Sequence, residues 1–307
     1  MKLPIQINLP DGFLEEEVRC GYTVTQKLKK IWAIQLDLLT KLEEVCKKYG
    51  IRYHVVWGTL LGAVRHKGFI PWDDDFDVCM DRENFDKLCA LPQEEFPNPY
   101  FLQTALSDRR YFLPYARLRN SETTGVIHGM ESSSYNNGIY IDIYVFDGIT
   151  KSKFLWNVQA FLKHVALVPL QAYYQEGIPC QFLKKIAYIA KPIWRILPYE
   201  FWYWLYVLIL KMYNRKAERW GVAYSFIKGD WNHWVAKNEF KETKYVPYEF
   251  VSVPIFEGAD SFLARRYGEY MHFPPVANRG KWHEGIIHYE PEIPYKEYLG
   301  IAQSNCR

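Results

Sequence analysis

Nothing in these 307 residues reads as a cysteine-built site, a membrane span or a secretion leader. The six cysteines, Cys20, Cys46, Cys79, Cys89, Cys180 and Cys306, are widely scattered and form no Cys-x-x-Cys pair. That argues against a zinc cluster or a disulfide scaffold and suits a reducing compartment. The uncharged apolar run 201–210 is ten residues long, short of the roughly 18–20 that a spanning helix requires. Lys163 and His164 interrupt the other apolar segment. Residues 1–17 show no basic-then-apolar pattern and turn acidic at Asp11 and Glu15, so a cytoplasmic location is expected, at most peripheral to the inner face of a membrane. An early glycine-rich βαβ half for a dinucleotide is missing as well.

What the chain has in plenty is apolar and aromatic. Hydrophobic residues make up 49%, enough for a sizeable core in one large domain or two modest ones. Aromatics make up 17%, with 11 Trp and 24 Tyr, side chains suited to sugar stacking, cation–π contacts and interfaces. A net charge of +3 hides an asymmetry: residues 151–219 hold eleven Lys and Arg against three acids. No nucleic-acid reading motif accompanies them, so nucleic acid is not expected as a partner. An anionic membrane surface or polymer fits the charge as well.

The stretch 57–77 organises the rest: Trp-Gly-Thr-Leu-Leu-Gly-Ala-Val-Arg-His-Lys-Gly-Phe-Ile-Pro-Trp-Asp-Asp-Asp-Phe-Asp. If residues 73–80 are extended, Asp73, Asp75 and Asp77 line one face and Asp74 points away. Carboxylates two apart on a strand lie about 6.5 to 7 Å apart at the backbone, close enough to converge on one hard cation. Gly58 and Thr59 are expected to make a tight turn, followed by a short helix over 60–66 whose backbone N–H groups can receive phosphate. Arg65 and Lys67, with His66 between them, lie between that turn and the acids. An EF-hand starting at Asp73 fails, because Val78 and Asn84 stand where its Gly and Glu belong. Two alternatives stay open at this point. One is a solvated acidic turn; the other is the Asp-x-Asp of a nucleotide-sugar glycosyltransferase.

Around this stretch the periodicity predicts a helix over 23–48, with Thr23 and Gln26 as a capping box and Gly50 as its stop. Gln35 interrupts the apolar stripe, so the buried face is broad. A short strand is expected over 53–57 and a helix over 82–91. Residues 112–120 alternate, placing Arg117 and Arg119 on one face, where two guanidiniums suit a diphosphate. The run Ile139-Tyr-Ile-Asp-Ile-Tyr-Val145 is a strong strand signal with Asp142 in its middle. A charge there is costly unless paired with a metal or a cation. Asp147 and Gly148 are expected to form a turn. Residues 245–256 read as paired strands and 260–267 as a short helix ended by Gly268.

The Gly-Thr-to-Asp run resembles the signature of the LicD family, relatives of fukutin, within the nucleotidyltransferase-fold superfamily. The resemblance is strongest over 53–80 and thinner over 115–148 and 267–283. It implies an α/β (α+β) domain with a nucleotidyltransferase-like mixed sheet flanked by helices. Segment 1–150 would be the catalytic core, 151–219 a helical, aromatic and basic insert, and 220–307 a closing segment that includes Arg279, Lys281 and His283. The activity implied is transfer of phosphocholine or a similar phospho-alcohol from a CDP-linked donor to a surface glycan acceptor, with Mg²⁺ or, as the alternative, Mn²⁺. Asp75 and Asp77 would hold the metal with Asp73 beside them, and Asp142 would serve as base or third ligand. Gly58, Thr59, Arg65, Lys67, Arg117 and Arg119 would meet the donor. For the insert two expectations stand: a helical subdomain packed on the sheet, or a surface lying on a membrane.

Overall fold

The computed structural model describes residues 3–128, 135–174, 192, 194–223, 233–280 and 287–299. A small hairpin of β1 (Glu17–Arg19) and β2 (Tyr22–Val24) precedes helix α1 (Gln26–Tyr49), strand β3 (His54–Val55), α2 (Trp57–Arg65), β4 (Asp77–Asp81) and α3 (Arg82–Cys89). Strands β5 (Tyr100–Gln103), β6 (Ala116–Asn120), β7 (Thr124–Ile127) and β8 (Ile139–Ile149) follow, then helices α4 (Lys153–Tyr174) and α5 (Tyr199–Leu210). The chain continues through β9 (Arg219–Gly221), β10 (Trp234–Ala236), α6 (Lys237–Lys241), β11 (Thr243–Tyr248), β12 (Val251–Phe256), α7 (Ala259–Tyr267) and β13 (Ile287–Glu290).

The main sheet is mixed and runs β10-β9-β8-β4-β3, with β6 also on β8 and β5 on β6. β8 is its axis: parallel to β4, antiparallel to β6 and β9. Ten of its eleven residues are buried, which is why its sequence is nearly continuously apolar instead of alternating. The expected turn at Asp147 and Gly148 is not there; the strand runs straight through both. Asp147 stays in the ladder because its carboxylate is satisfied from the side: Arg82 Nε and Nη2 donate to it at 3.0 and 2.5 Å, and Asn214 Nδ2 at 2.7 Å.

Helix α1 packs against this sheet and is buried on an unusually wide arc, from Ile31 through Leu39 without a gap. Its cap is Thr25, whose hydroxyl accepts from the Leu28 N–H; Thr23, the expected cap, pairs in β2 instead. Gly50 ends the helix in the left-handed conformation at φ +62°, as expected of a glycine stop. Gln35, the apparent flaw in the stripe, is buried and donates to the Asp74 carbonyl at 2.7 Å.

One core gathers residues from Leu3 to Tyr289, so the closing segment packs into the same interior as the entry helix. The hairpin of β11 and β12 and the helix ended by Gly268 form as the sequence predicts. A smaller core joins Ala166, Leu170, Tyr199, Tyr206 and Leu210 of α4 and α5 to Phe112 and Ala223. Lys281 and His283 lie outside the described residues.

Two stability measurements follow from the buried polar groups. Asp147→Asn leaves the buried Arg82 with only the longer ion pair to Asp86, at 3.5 Å, and is expected to lower the unfolding free energy in urea by about 3 kcal/mol. His54 sits between the rings of Phe240 and Phe256, and burial, then Arg52, pushes its pKa from 6.5 down to about 3. The unfolded chain therefore takes up this proton well before the folded one. The stability involved is complete above pH 6.5 and declines as pH falls below it. In His54→Gln the decline between pH 6.5 and the carboxylate range should be shallower.

Candidate active site

Register builds the centre of the site. Asp77 on β4 is paired with Asp142 on β8, and Asp142 with Arg117 on β6. Residues paired across neighbouring strands share a face. Two carboxylates and a guanidinium thus form a row across three strands. Arg117 Nε donates to Asp142 Oδ1 at 2.7 Å, and the Tyr144 hydroxyl donates to Asp142 Oδ2 at 3.3 Å. This is the cation that a charge in mid-strand requires.

The acids preceding β4 reach the row by a route that the sequence does not show. The strand begins only at Asp77, so the expected alternation over 73–76 is replaced by a looped approach held by its backbone. The Asp73 carbonyl accepts from Trp32 Nε1 at 2.9 Å, and the Asp74 carbonyl from Gln35 Nε2 at 2.7 Å and the Tyr289 hydroxyl at 3.3 Å. The approach itself is clamped by Glu249. Its carboxylate accepts from Arg19 at 2.6 and 2.9 Å and from the Phe69 N–H at 3.0 Å, and its own N–H donates to the Lys67 carbonyl at 2.8 Å.

Gly58 and Thr59 also differ from expectation: they lie in the first turn of α2, not in a turn before it. Trp57 supplies the sharp bend instead, at φ +49°, a conformation that costs a non-glycine residue about 1–3 kcal/mol. Thr59 is buried, and its hydroxyl accepts from the Asp77 N–H at 2.8 Å, fixing the first residue of β4. Gly58 is there for proximity. A Cβ at that position would stand 2.7 Å from Asp73 Oδ2 and 3.8 Å from Asp75 Oδ1. Both carboxylates therefore crowd the same bare backbone.

The electrostatic consequence falls on Asp77. Burial, then the charges of Asp75, Asp142 and Asp73, push its carboxyl well above the usual range, while Arg266 works in the opposite direction. Asp77 Oδ1 is buried without a hydrogen-bond partner. Among the described residues no three or more His, Cys, Asp or Glu side chains are grouped so that they could hold a metal ion. An all-oxygen set of this kind suits a small hard cation that takes one or two carboxylates and completes its shell with water and substrate phosphates.

The remaining expected residues are engaged elsewhere. Arg119 shares the face of Arg117 but is buried, donating to Gln103 Oε1 and the Gly138 carbonyl at 2.6 Å each, and burial beside Arg117 pushes its pKa down to about 10. Arg65 donates to the Tyr270 and His272 carbonyls and lies over the Phe273 ring. Lys67 donates to the Val64 carbonyl. Sequence reasoning missed Arg266, which α7 places 5.5 Å over the Trp57 ring, with Nη1 2.8 Å from His233 Nδ1. Trp57 in turn packs on Tyr144 with ring centroids 4.3 Å apart. The available signal was the Arg265-Arg266 pair directly before the Tyr-Gly-Glu-Tyr run.

The mixed sheet flanked by helices, with Asp77 and Asp142 paired on adjacent strands, has the architecture expected of a nucleotidyltransferase-like domain. Comparison with known families agrees: residues 50–186 match the LicD/FKTN/FKRP nucleotidyltransferase domain, and the chain carries a LicD-family domain there. It is 23% identical over 267 residues to the lipopolysaccharide cholinephosphotransferase LicD of Haemophilus influenzae, covering 83% of this chain and 96% of that protein. Shorter likenesses reach uncharacterised proteins of Rickettsia prowazekii, at 44% over 60 residues, and Rickettsia typhi, at 50% over 42 residues. These cover 19% and 14% of this chain, and 23% and 14% of the two proteins.

Gly58→Ala tests the crowding directly. The added methyl should displace Asp73, leave the thermal midpoint unchanged, and lower turnover about a hundredfold, the scale expected for misplacing a reacting group by roughly 1 Å.

Proposed function

We propose that this chain is a metal-dependent phosphotransferase. It moves a phosphocholine-like group from a CDP-linked donor to a hydroxyl of a cell-surface glycan or its lipid-linked precursor. The observation that carries this is the row of Asp77, Asp142 and Arg117 across β4, β8 and β6, joined by Asp73 and Asp75 over Gly58. Choline and lipopolysaccharide are favoured as donor group and acceptor because the relative matched along most of the chain is a lipopolysaccharide cholinephosphotransferase.

Asp75 and Asp77 would hold Mg²⁺, with Asp73 beside them; Mn²⁺ has the same preference for oxygen. When bound, such an ion neutralises charge on the donor diphosphate as the phosphoryl group passes to the acceptor hydroxyl. The protein's own share is positioning. Thr59 fixes Asp77, the Trp32 and Gln35 contacts fix the acid loop, and Arg266 offers a guanidinium to a phosphate oxygen. Asp142, held by Arg117, would be the third carboxylate of the row, as base or third ligand.

Thermal stability measured with Mg²⁺ and CDP-choline, CDP-ethanolamine, CDP-ribitol, CDP-glycerol, UDP-glucose or CMP tests this. A ligand at a hundred times its Kd stabilises the fold by about 2.7 kcal/mol. A metal-dependent upward shift with a CDP-alcohol, absent in Asp75→Asn, is expected. A shift with UDP-glucose alone would replace the proposal with a glycosyltransferase, and full turnover in Asp75→Asn would remove the metal site.

A further inference from the structure

Helix α4 mixes polar and apolar residues on its buried side, where Ala166 and Leu170 join the smaller core. Its core-facing side carries Gln159 and Lys163, both fully buried. Gln159 Nε2 donates to the Ile209 carbonyl at 2.9 Å, and Lys163 Nζ to the Ala223 carbonyl. Its opposite side carries Phe154, Val158, Phe161 and Val165, exposed by 73, 37, 68 and 54%. Spacings of four, three and four residues put these within one narrow stripe.

The partner helix repeats the pattern. On α5, Phe201, Trp204 and Leu208 are spaced by three and four residues and are exposed by 38, 60 and 48%. Tyr199, Tyr206 and Leu210 of the same segment are buried in the core shared with α4. Each helix thus has one apolar side satisfied within the protein and a second one turned away from that core. An exposed apolar area of this kind marks an interaction surface.

Charge identifies the occupant. The Tyr213 hydroxyl donates to the Leu155 carbonyl, so the start of α4 lies beside the end of α5. Exposed Lys153, Arg215 and Lys216 gather at that end, in a segment where eleven Lys and Arg face three acids. Phe and Trp flanked by cations match the boundary between acyl chains and anionic headgroups. Among the described residues no helix is long and apolar enough to cross a membrane, so the contact is lateral. We propose that the outer face of α4 and α5 lies on an anionic lipid bilayer surface. This goes beyond phosphotransfer and is tested without any nucleotide.

The experiment is co-sedimentation of the full chain with vesicles of phosphatidylcholine alone or of phosphatidylcholine with phosphatidylglycerol, beside the double variant Phe161→Glu/Trp204→Glu. Both positions are exposed, so an unchanged thermal midpoint verifies that the variant folds. The wild-type chain should bind the anionic vesicles more tightly and release them as salt rises. The variant should lose at least about tenfold in partitioning, the scale of withdrawing one large apolar side chain from lipid. Equal binding by variant and wild type would overturn the proposal, as would failure of the wild type to bind anionic vesicles. A wild-type dimer that the variant splits, with no vesicle binding, would assign the face to a second copy and also overturn it.

Discussion

Like charges forced into one place are the constraint on which the rest of this structure depends. Asp73, Asp75, Asp77 and Asp142 converge where burial removes the water that would screen them. Left to themselves they would spread apart. Backbone contacts help hold them: Trp32, Gln35 and Tyr289 hold carbonyls of the acid loop, and Thr59 holds the Asp77 N–H, while Arg117 pairs with the Asp142 carboxylate. Fixing the main chain in this way sets where the carboxylates stand before any ligand arrives.

The scaffold divides its charges into two kinds. Arg82 with Asp147, and Arg119 with Gln103 and Gly138, are buried groups held by partners within the protein. Asp77 is the opposite case: its pKa is driven up and Oδ1 is unsatisfied. Both kinds sit on the same sheet a few residues apart. What separates them is the guanidinium available beside Asp147 and the crowd of carboxylates beside Asp77.

Much of this was legible in the sequence. The helix over α1, the apolar strand around Asp142, the β11–β12 hairpin and the grouping of the aspartates all follow from spacing and propensity. The errors have physical causes. The acids were expected on a strand because alternation is a local rule, whereas their loop is held by Trp32 and Tyr289, which are far away in sequence. Asp147-Gly148 looks like a turn because its satisfying partners, Arg82 and Asn214, are remote. Arg117 and Arg119 do share a face, but alternation cannot say whether that face is inside. Arg266 escaped notice because only tertiary folding brings α7 to Trp57.

The contacts that complete the acid loop join distant parts of the chain. Glu249 meets Arg19 across 230 positions, and Tyr289 meets Asp74 across 215. Contacts of such high sequence separation form late, since the entropy of closing the loop must be overcome first. On a ribosome extending the chain at roughly 5–20 residues per second, the aspartates emerge well before the residues that hold them. For many seconds the nascent protein has its acids and lacks the clamp. A chain that stops short of Tyr289 keeps its aspartates and lacks the hydroxyl that holds the Asp74 carbonyl.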